Sequence, residues 1–232
     1  MYYNLGTINR AIEYYEQALT IAREIGDNKN DMGIALGNLG NCYFDIGQTS
    51  RAIEYHEQAL AISREIGDRR GEETDLGNLG ICYSALGQTA HAIEYYKQAL
   101  AIARDIGDRF GEGRHLGNLA EELIVEERYT EAIKLAQESV KIGEEINSPF
   151  VGNYYNGYLS LTLLYSGELL SAHTVAEIAR QYDEPQNNHY VLALWASLPC
   201  GKQIARRRKR RSPRRCNKPS NCWYTARKIT RR

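Results

Sequence analysis

Apolar residues recur along this chain with helical spacing, in two kinds of segment that alternate. In Ala92–Asp108 the positions Ala92, Ile93, Tyr96, Ala99, Leu100 and Ile102 form one apolar face, while Glu94, Lys97, Gln98 and Arg104 fall mainly elsewhere. The preceding segment, Gly71–Gly87, carries Leu76, Leu79, Ile81, Cys82, Tyr83 and Leu86 in a second helical pattern. Between the two, "LGQT" predicts a turn with Gly87 at the helix end. The "IGD" at 106–108 predicts a helix stop, with Gly107 in the left-handed cap position. The predicted unit is therefore a helix, a short turn, a second helix and a longer turn.

The unit repeats. "AIEYYEQALTIAREIGD" at Ala11–Asp27 returns at Ala52–Asp68 and Ala92–Asp108, and a weaker copy spans Ala132–Ser148, at spacings of 41, 40 and 40 residues. The other segment returns too, with "LGNLG" at Leu36–Gly40 and Leu76–Gly80 and "LGNLA" at Leu116–Ala120. Such a period is the mark of a repeat architecture. It also settles what the paired glycines are. A phosphate loop would need a strand before it and a lysine or dinucleotide spacing after it, and neither is present. Gly77 and Gly80 instead fall inside a predicted helix, where each costs ~1 kcal/mol relative to alanine. Close approach of a neighbouring helix is the expected compensation. The following segment offers Ala92 and Ala99, so small residues are expected to oppose small residues.

The series Leu76, Leu79-Gly80, Tyr83, Gly87, Ala92, Tyr96 and Ala99 resembles the tetratricopeptide signature of large apolar residue, Leu-Gly, Tyr, Ala, aromatic and Ala. The same series runs through Leu36, Leu39-Gly40, Tyr43, Gly47, Ala52, His56 and Ala59, with His56 in the aromatic slot as a packing residue. The 40-residue period, longer than the usual ~34, is similar to that of kinesin light chains, spindle-orientation adaptors and bacterial regulators carrying a nucleotide-binding switch domain. The resemblance implies an all-α, right-handed superhelical solenoid of antiparallel helix hairpins. Expected units are a partial one at 1–28, then 29–69, 70–109, 110–148 and 149–184, with the start of another at 186–198. In the fourth, Glu127 replaces the turn glycine; a fifth is read from Leu159-Ser160, Leu163, Gly167, Ala172, Ala176 and Ala179.

Charge separates the two ends of the chain. Net charge is zero, yet all 29 acidic residues precede residue 201 and 14 of the 29 Lys and Arg follow it. Residues 199–232 share nothing with the repeats and are expected to be disordered. Three readings of this tail stand: a basic arm for nucleic acid or anionic lipid, a localisation patch, or out-of-frame translation of a further repeat. At the other end, Met1 aligns with Cys42, so the chain is expected to begin late in a first helix, as a fragment would. No apolar run approaches the ~20 residues that cross a bilayer, and "MYYNLGTINR" does not resemble a secretory signal. A cytoplasmic location is the expectation.

The chemistry-bearing residues point away from catalysis. Glu13, Glu54 and Glu94 share one slot and Arg23, Arg64 and Arg104 another, which predicts a solvated stripe. The five histidines show no ligand spacing, Glu121-Glu122 and Glu126-Glu127 read as surface charge, and no CxxC exists. Cys42 and Cys82 are expected as buried thiols. No enzyme activity, metal or cofactor is expected. Binding is different. The slot of Asn38, Asn78 and Asn118 offers a donor and an acceptor together, suited to the backbone of an extended peptide. The resemblance places that slot on the concave face, with Asn41, Arg114, Glu121 and Tyr158 beside it. The expected function is a protein-interaction scaffold that takes an extended peptide or partner helix in this groove. The alternatives are a sensor fragment of a nucleotide-dependent switch protein and nucleic-acid binding through the tail.

Overall fold

The computed structural model describes residues 5–25 and 29–147, together with separate positions between 156 and 175. Tyr158, Ala176, Ala179, the expected helix at 186–198 and the basic tail lie outside the described residues. Among the described residues every regular element is an α-helix: α1 (Leu5–Ile25), α2 (Lys29–Asp45), α3 (Thr49–Ile66), α4 (Arg69–Ala85), α5 (Thr89–Asp105), α6 (Arg109–Val125) and α7 (Tyr129–Glu145). The paired glycines fall inside α2 and α4 as the periodicity requires. Compact units form at Met1–Glu122 and Leu123–Arg232.

Each helix boundary has a local cause. Gly47, Gly67, Gly87 and Gly107 take positive φ of 79°, 73°, 72° and 70°. At Gly67 the Schellman pair is complete, with Asp68 N–H donating to Ser63 O (2.8 Å) and Gly67 N–H to Arg64 O (3.4 Å). Asp68 then starts the next helix, its Oδ1 accepting from Gly71 N–H at 3.0 Å, and Asp108 does the same for Gly111 at 2.9 Å. One "IGD" thus ends one helix and caps the next.

In the first unit, α2 with α3 and α4 with α5 form antiparallel hairpins. Leu36, Leu39, Leu76, Leu79 and Leu116 are all at most 2% exposed, and Ala52, Ala59, Ala92 and Ala99 are fully buried. Burying each leucine contributes roughly 1.5–3 kcal/mol. The opposition of small residues does not hold, however. A Cβ built on Gly40 would lie 2.6 Å from His56 Nε2, one on Gly80 2.5 Å from Tyr96 Cε1, and one on Gly77 2.6 Å from His115 Cε1. Each glycine makes room for a ring rather than for a backbone.

α1 differs from the alignment as well. Leu5-Gly6-Thr7 occupies the place of the turn Ile46-Gly47-Gln48, but α1 continues as helix through Gly6, which sets Ile8 and Ile12 into the core beside Leu36 and Leu39.

In the second unit α7 buries Ala132, Ala136, Ser139, Ile142 and Gly143 along one stripe. Ser160 Oγ donates to Ala172 O at 2.8 Å, and Gly167 has φ 92°. The turn before α7 carries Glu127 at φ 62° in the place of a glycine. An L-residue there is strained by about 1–2 kcal/mol. Glu127→Gly should therefore raise stability by about 1 kcal/mol, read as a higher urea midpoint with an unchanged m-value; an unchanged or lower midpoint would contradict the strain.

Candidate functional site

The first helices of successive hairpins lie side by side. Gly37 of α2 faces Asp75 of α4, and Gly77 of α4 faces His115 of α6. Because α2, α4 and α6 share one sequence register, equivalent residues form rows across the three helices. Ile34, Thr74 and Arg114 make one row, Asn38, Asn78 and Asn118 a second, and Asn41, Ile81 and Glu121 a third.

The rows are unequal. Ile34 is 56% exposed, Thr74 and Asn41 are exposed, and Asn38, Asn78, Ile81, Arg114 and Glu121 are half-buried. Among the described residues the amides of Asn38 and Asn78 have no hydrogen-bond partner. Asn118 is 7% exposed and engaged within the chain, so it offers little to a ligand. Arg70 and Phe110 add an exposed cation and an exposed ring to the neighbouring turns.

Beneath the rows lies a buried ionic layer that repeat periodicity does not announce. Glu73, 2% exposed, accepts from Arg114 Nη2 at 3.0 Å and pairs with His115 Nε2. It fits because Gly111 has no side chain: a Cβ there would be 2.8 Å from Glu73 Oε1. Burial pushes the Glu73 carboxyl up, but His115 and Arg114 together hold it below the usual carboxylate range. Burial keeps the His115 imidazole below its ordinary value, against the pull of Glu73. The pair is thus a carboxylate receiving a hydrogen bond from a neutral imidazole, with Arg114 supplying the balancing charge. Two residues further along α4, Asp75 accepts from Ser63 Oγ at 3.1 Å and lies 3.8 Å from His56 Nδ1. Burial raises its pKa, opposed by His56 and Ser63.

Other expectations change in the same way. Arg64 and Arg104 do not belong to a purely solvated stripe. Arg64 Nε lies 2.9 Å from Glu72 and Arg104 Nε 2.8 Å from Glu112, and Arg69 and Arg109 close the same carboxylates from their other side. Glu122, read as surface charge, is 3% exposed. Cys82 is buried as expected, its thiol pushed up to about 12 by burial, whereas Cys42 is half-buried. His56 is a packing residue, 1% exposed against Gly40. No helix among the described residues is long and apolar enough to cross a membrane.

Known proteins resemble this arrangement. Residues 1–65 and 52–105 match the model of the tetratricopeptide repeat. No curated protein matches by sequence. Three solved structures share the fold. The nearly identical TPR-like repeats of a Podosopora anserina kinesin light chain align at 21% identity and TM-score 0.62, over 76% of this chain and 87% of that one. BtubC (BKLC) from P. vanneervenii aligns at 19% and 0.69, over 90% and 78%. A Rap protein complexed with competence and sporulation factor aligns at 17% and 0.73, over 97% and 60%. At these identities the likeness is one of fold.

Proposed function

This chain is a tetratricopeptide-repeat protein, and on that premise we propose that it binds another protein by seating an extended peptide or helix across α2, α4 and α6. Arrays of this fold are protein-interaction scaffolds, and the Rap protein is complexed with competence and sporulation factor. The observation that carries the reading is the pair Asn38 and Asn78. They stand in register on adjacent helices, half-buried, with no internal hydrogen-bond partner among the described residues. Two amides spaced by one helix packing distance, roughly 10 Å, can each accept from and donate to a peptide backbone two or three residues apart. Asn41 and Glu121 extend the polar rows, and Asn118, being buried, supports the site from below. Arg114, already joined to Glu73, presents one side of its guanidinium to the same surface. Exposed Ile34 and Phe110 supply apolar contact. The role is non-covalent and needs no cofactor.

The test is selection of peptide ligands from a displayed random library, followed by calorimetric titration of the selected peptide. Asn38→Ala with Asn78→Ala should weaken binding about tenfold or more, as expected for losing two hydrogen bonds, with the helical spectrum unchanged. Unaltered affinity in the double variant would refute the groove.

A further inference from the structure

Arg114 belongs at once to the groove and to the ionic layer beneath it. Its side chain is 29% exposed, and its Nη2 reaches Glu73 Oε1 at 3.0 Å. His115 Nε2 meets the same oxygen from full burial. One carboxylate oxygen thus receives two donors, one that can turn to solvent and one that cannot. Arg114 Nε is buried without a partner, so among the described residues Glu73 holds the guanidinium through Nη2. The His115 ring is enclosed on every side. Gly77 of α4 lies against it, where a Cβ would fall 2.6 Å from Cε1, and the ring of Tyr96 in α5 stands 6.4 Å away. The charged groups acting on it are Glu73, Arg114 and Asp108. Glu112, one turn earlier in α6, is closed by Arg104 and Arg109. With Nε2 turned to Glu73, a second proton would go to Nδ1, which is buried and has no hydrogen-bond partner.

We propose that this layer is a proton switch on the groove: a proton taken up at His115 Nδ1 releases Arg114 from Glu73, and the freed guanidinium is offered to an anionic side chain of the ligand. The proposal rests on the groove reading above and adds its regulation. Glu73 carries one negative charge. While His115 is neutral, that charge balances Arg114. A charged, fully buried imidazolium cannot go unbalanced, whereas an arginine at the surface can be solvated. Two cations then compete for one oxygen, and the exposed one yields. The converse also holds. A ligand carboxylate that draws Arg114 away removes a like charge from beside His115, so the imidazole binds its proton more tightly. The sign follows from the unliganded chain, where Arg114 and burial hold the His115 pKa below its ordinary 6.5. Ligand binding raises it. The gain in affinity is absent above the raised value, grows as pH falls through the window between the two, and is complete below the depressed one.

The experiment uses the full chain carrying isotopically labelled arginine. The side-chain NMR signals of Arg114 are identified by their loss in Arg114→Lys. A guanidinium held by a carboxylate shows separately resolved Nη protons, and a solvated one shows averaged protons. Between about pH 7.5 and about pH 5 the Arg114 signals should pass from held to solvated in one transition, and in His115→Gln they should stay held throughout. Peptides are then selected from a displayed random library at the two ends of that range. Those selected in acid should carry Asp or Glu at a fixed position and bind the wild-type chain about fivefold or more tighter in acid, with proton uptake in calorimetry; for His115→Gln the difference should be less than about twofold. Arg114 signals that stay held in acid, a transition that survives in His115→Gln, or equal affinity of the acid-selected peptide at both ends of the range would each overturn the proposal. Selection that yields no peptide at either pH would remove the groove instead, and the arginine transition would still decide the switch.

Discussion

Gly80→Ala will destabilise the fold by about 2 kcal/mol, and Gly37→Ala, at the other glycine of the same leucine-glycine motif, will stabilise it by about 0.5–1 kcal/mol. Both changes add one methyl to a helical glycine, so both gain ~1 kcal/mol of helix propensity. What separates them is the neighbour. The Cβ of Gly80 would fall 2.5 and 2.6 Å from Tyr96 Cε1 and Cδ1. That ring is 3% exposed and held beside Ala99 and His115, so it cannot swing aside as a surface side chain would. Overpacking of this kind costs ~1–3 kcal/mol or more. The Cβ of Gly37 would meet only Asp75 Oδ1, at 3.6 Å, an ordinary contact. Chemical denaturation of the two variants decides the point by sign. A cycle with Tyr96→Leu locates the cause, since removing the ring should recover most of the loss at Gly80. If both alanines shift the midpoint in the same direction, rings do not set the helix spacing.

The periodic part of this structure was legible because stacking repeats the same packing problem every 40 residues. Leucine-glycine pairs, buried alanines and turn glycines answer that problem identically each time, so the stripe and the cap could be read directly. Glu127 was legible too, as a departure from glycine at a position that still had to adopt positive φ. The opposition of small residues was misread because composition gives the number of small side chains and not their partners. Gly80 meets Tyr96, which stands on the same helix as the expected partners Ala92 and Ala99, and only the folded structure shows that pairing.

The buried ionic layer escaped for a related reason. Glu73 shares its slot with Gly33 and Gly113, and Asp75 shares its own with Ala35 and His115. Averaging over copies hides such residues, whereas the departures themselves were the available signal. A carboxylate in a slot that is otherwise glycine, two positions from the slot that holds a histidine in the next copy, marks a place where two repeats are fastened by charge. The asparagine row shows the converse. Three identical residues in one slot end with two half-buried and one enclosed, because the environment of α6 differs from that of α2 and α4.

Removing the anion from that layer should be the most damaging single change in the chain. Glu73→Ala leaves Arg114, 29% exposed, and the fully buried His115 without their partner, and breaking a buried pair in this way costs about 3–5 kcal/mol. The same network makes stability depend on pH, and its sign follows from the direction of each shift. The His115 pKa is lower in the folded chain than its ordinary 6.5, so below that value the unfolded state binds more protons. Its contribution is fully present above pH 6.5 and is lost as pH falls through the depressed folded value. Glu73, lowered from 4.5, adds a second loss at still lower pH. Asp75, raised from 3.8, acts in the opposite sense, since its folded form takes up a proton first and its contribution fades as pH rises. The variant that isolates the histidine is His115→Gln, which keeps a side-chain N–H for Glu73 and cannot titrate. Urea melts at half-unit steps from pH 7.5 to 5 should show the wild-type chain losing stability toward acid more steeply than His115→Gln. Parallel curves for the two proteins would mean that folding leaves the proton affinity of His115 unchanged, contrary to the depression argued here, and a shallower wild-type loss would mean that the fold holds the imidazole charged.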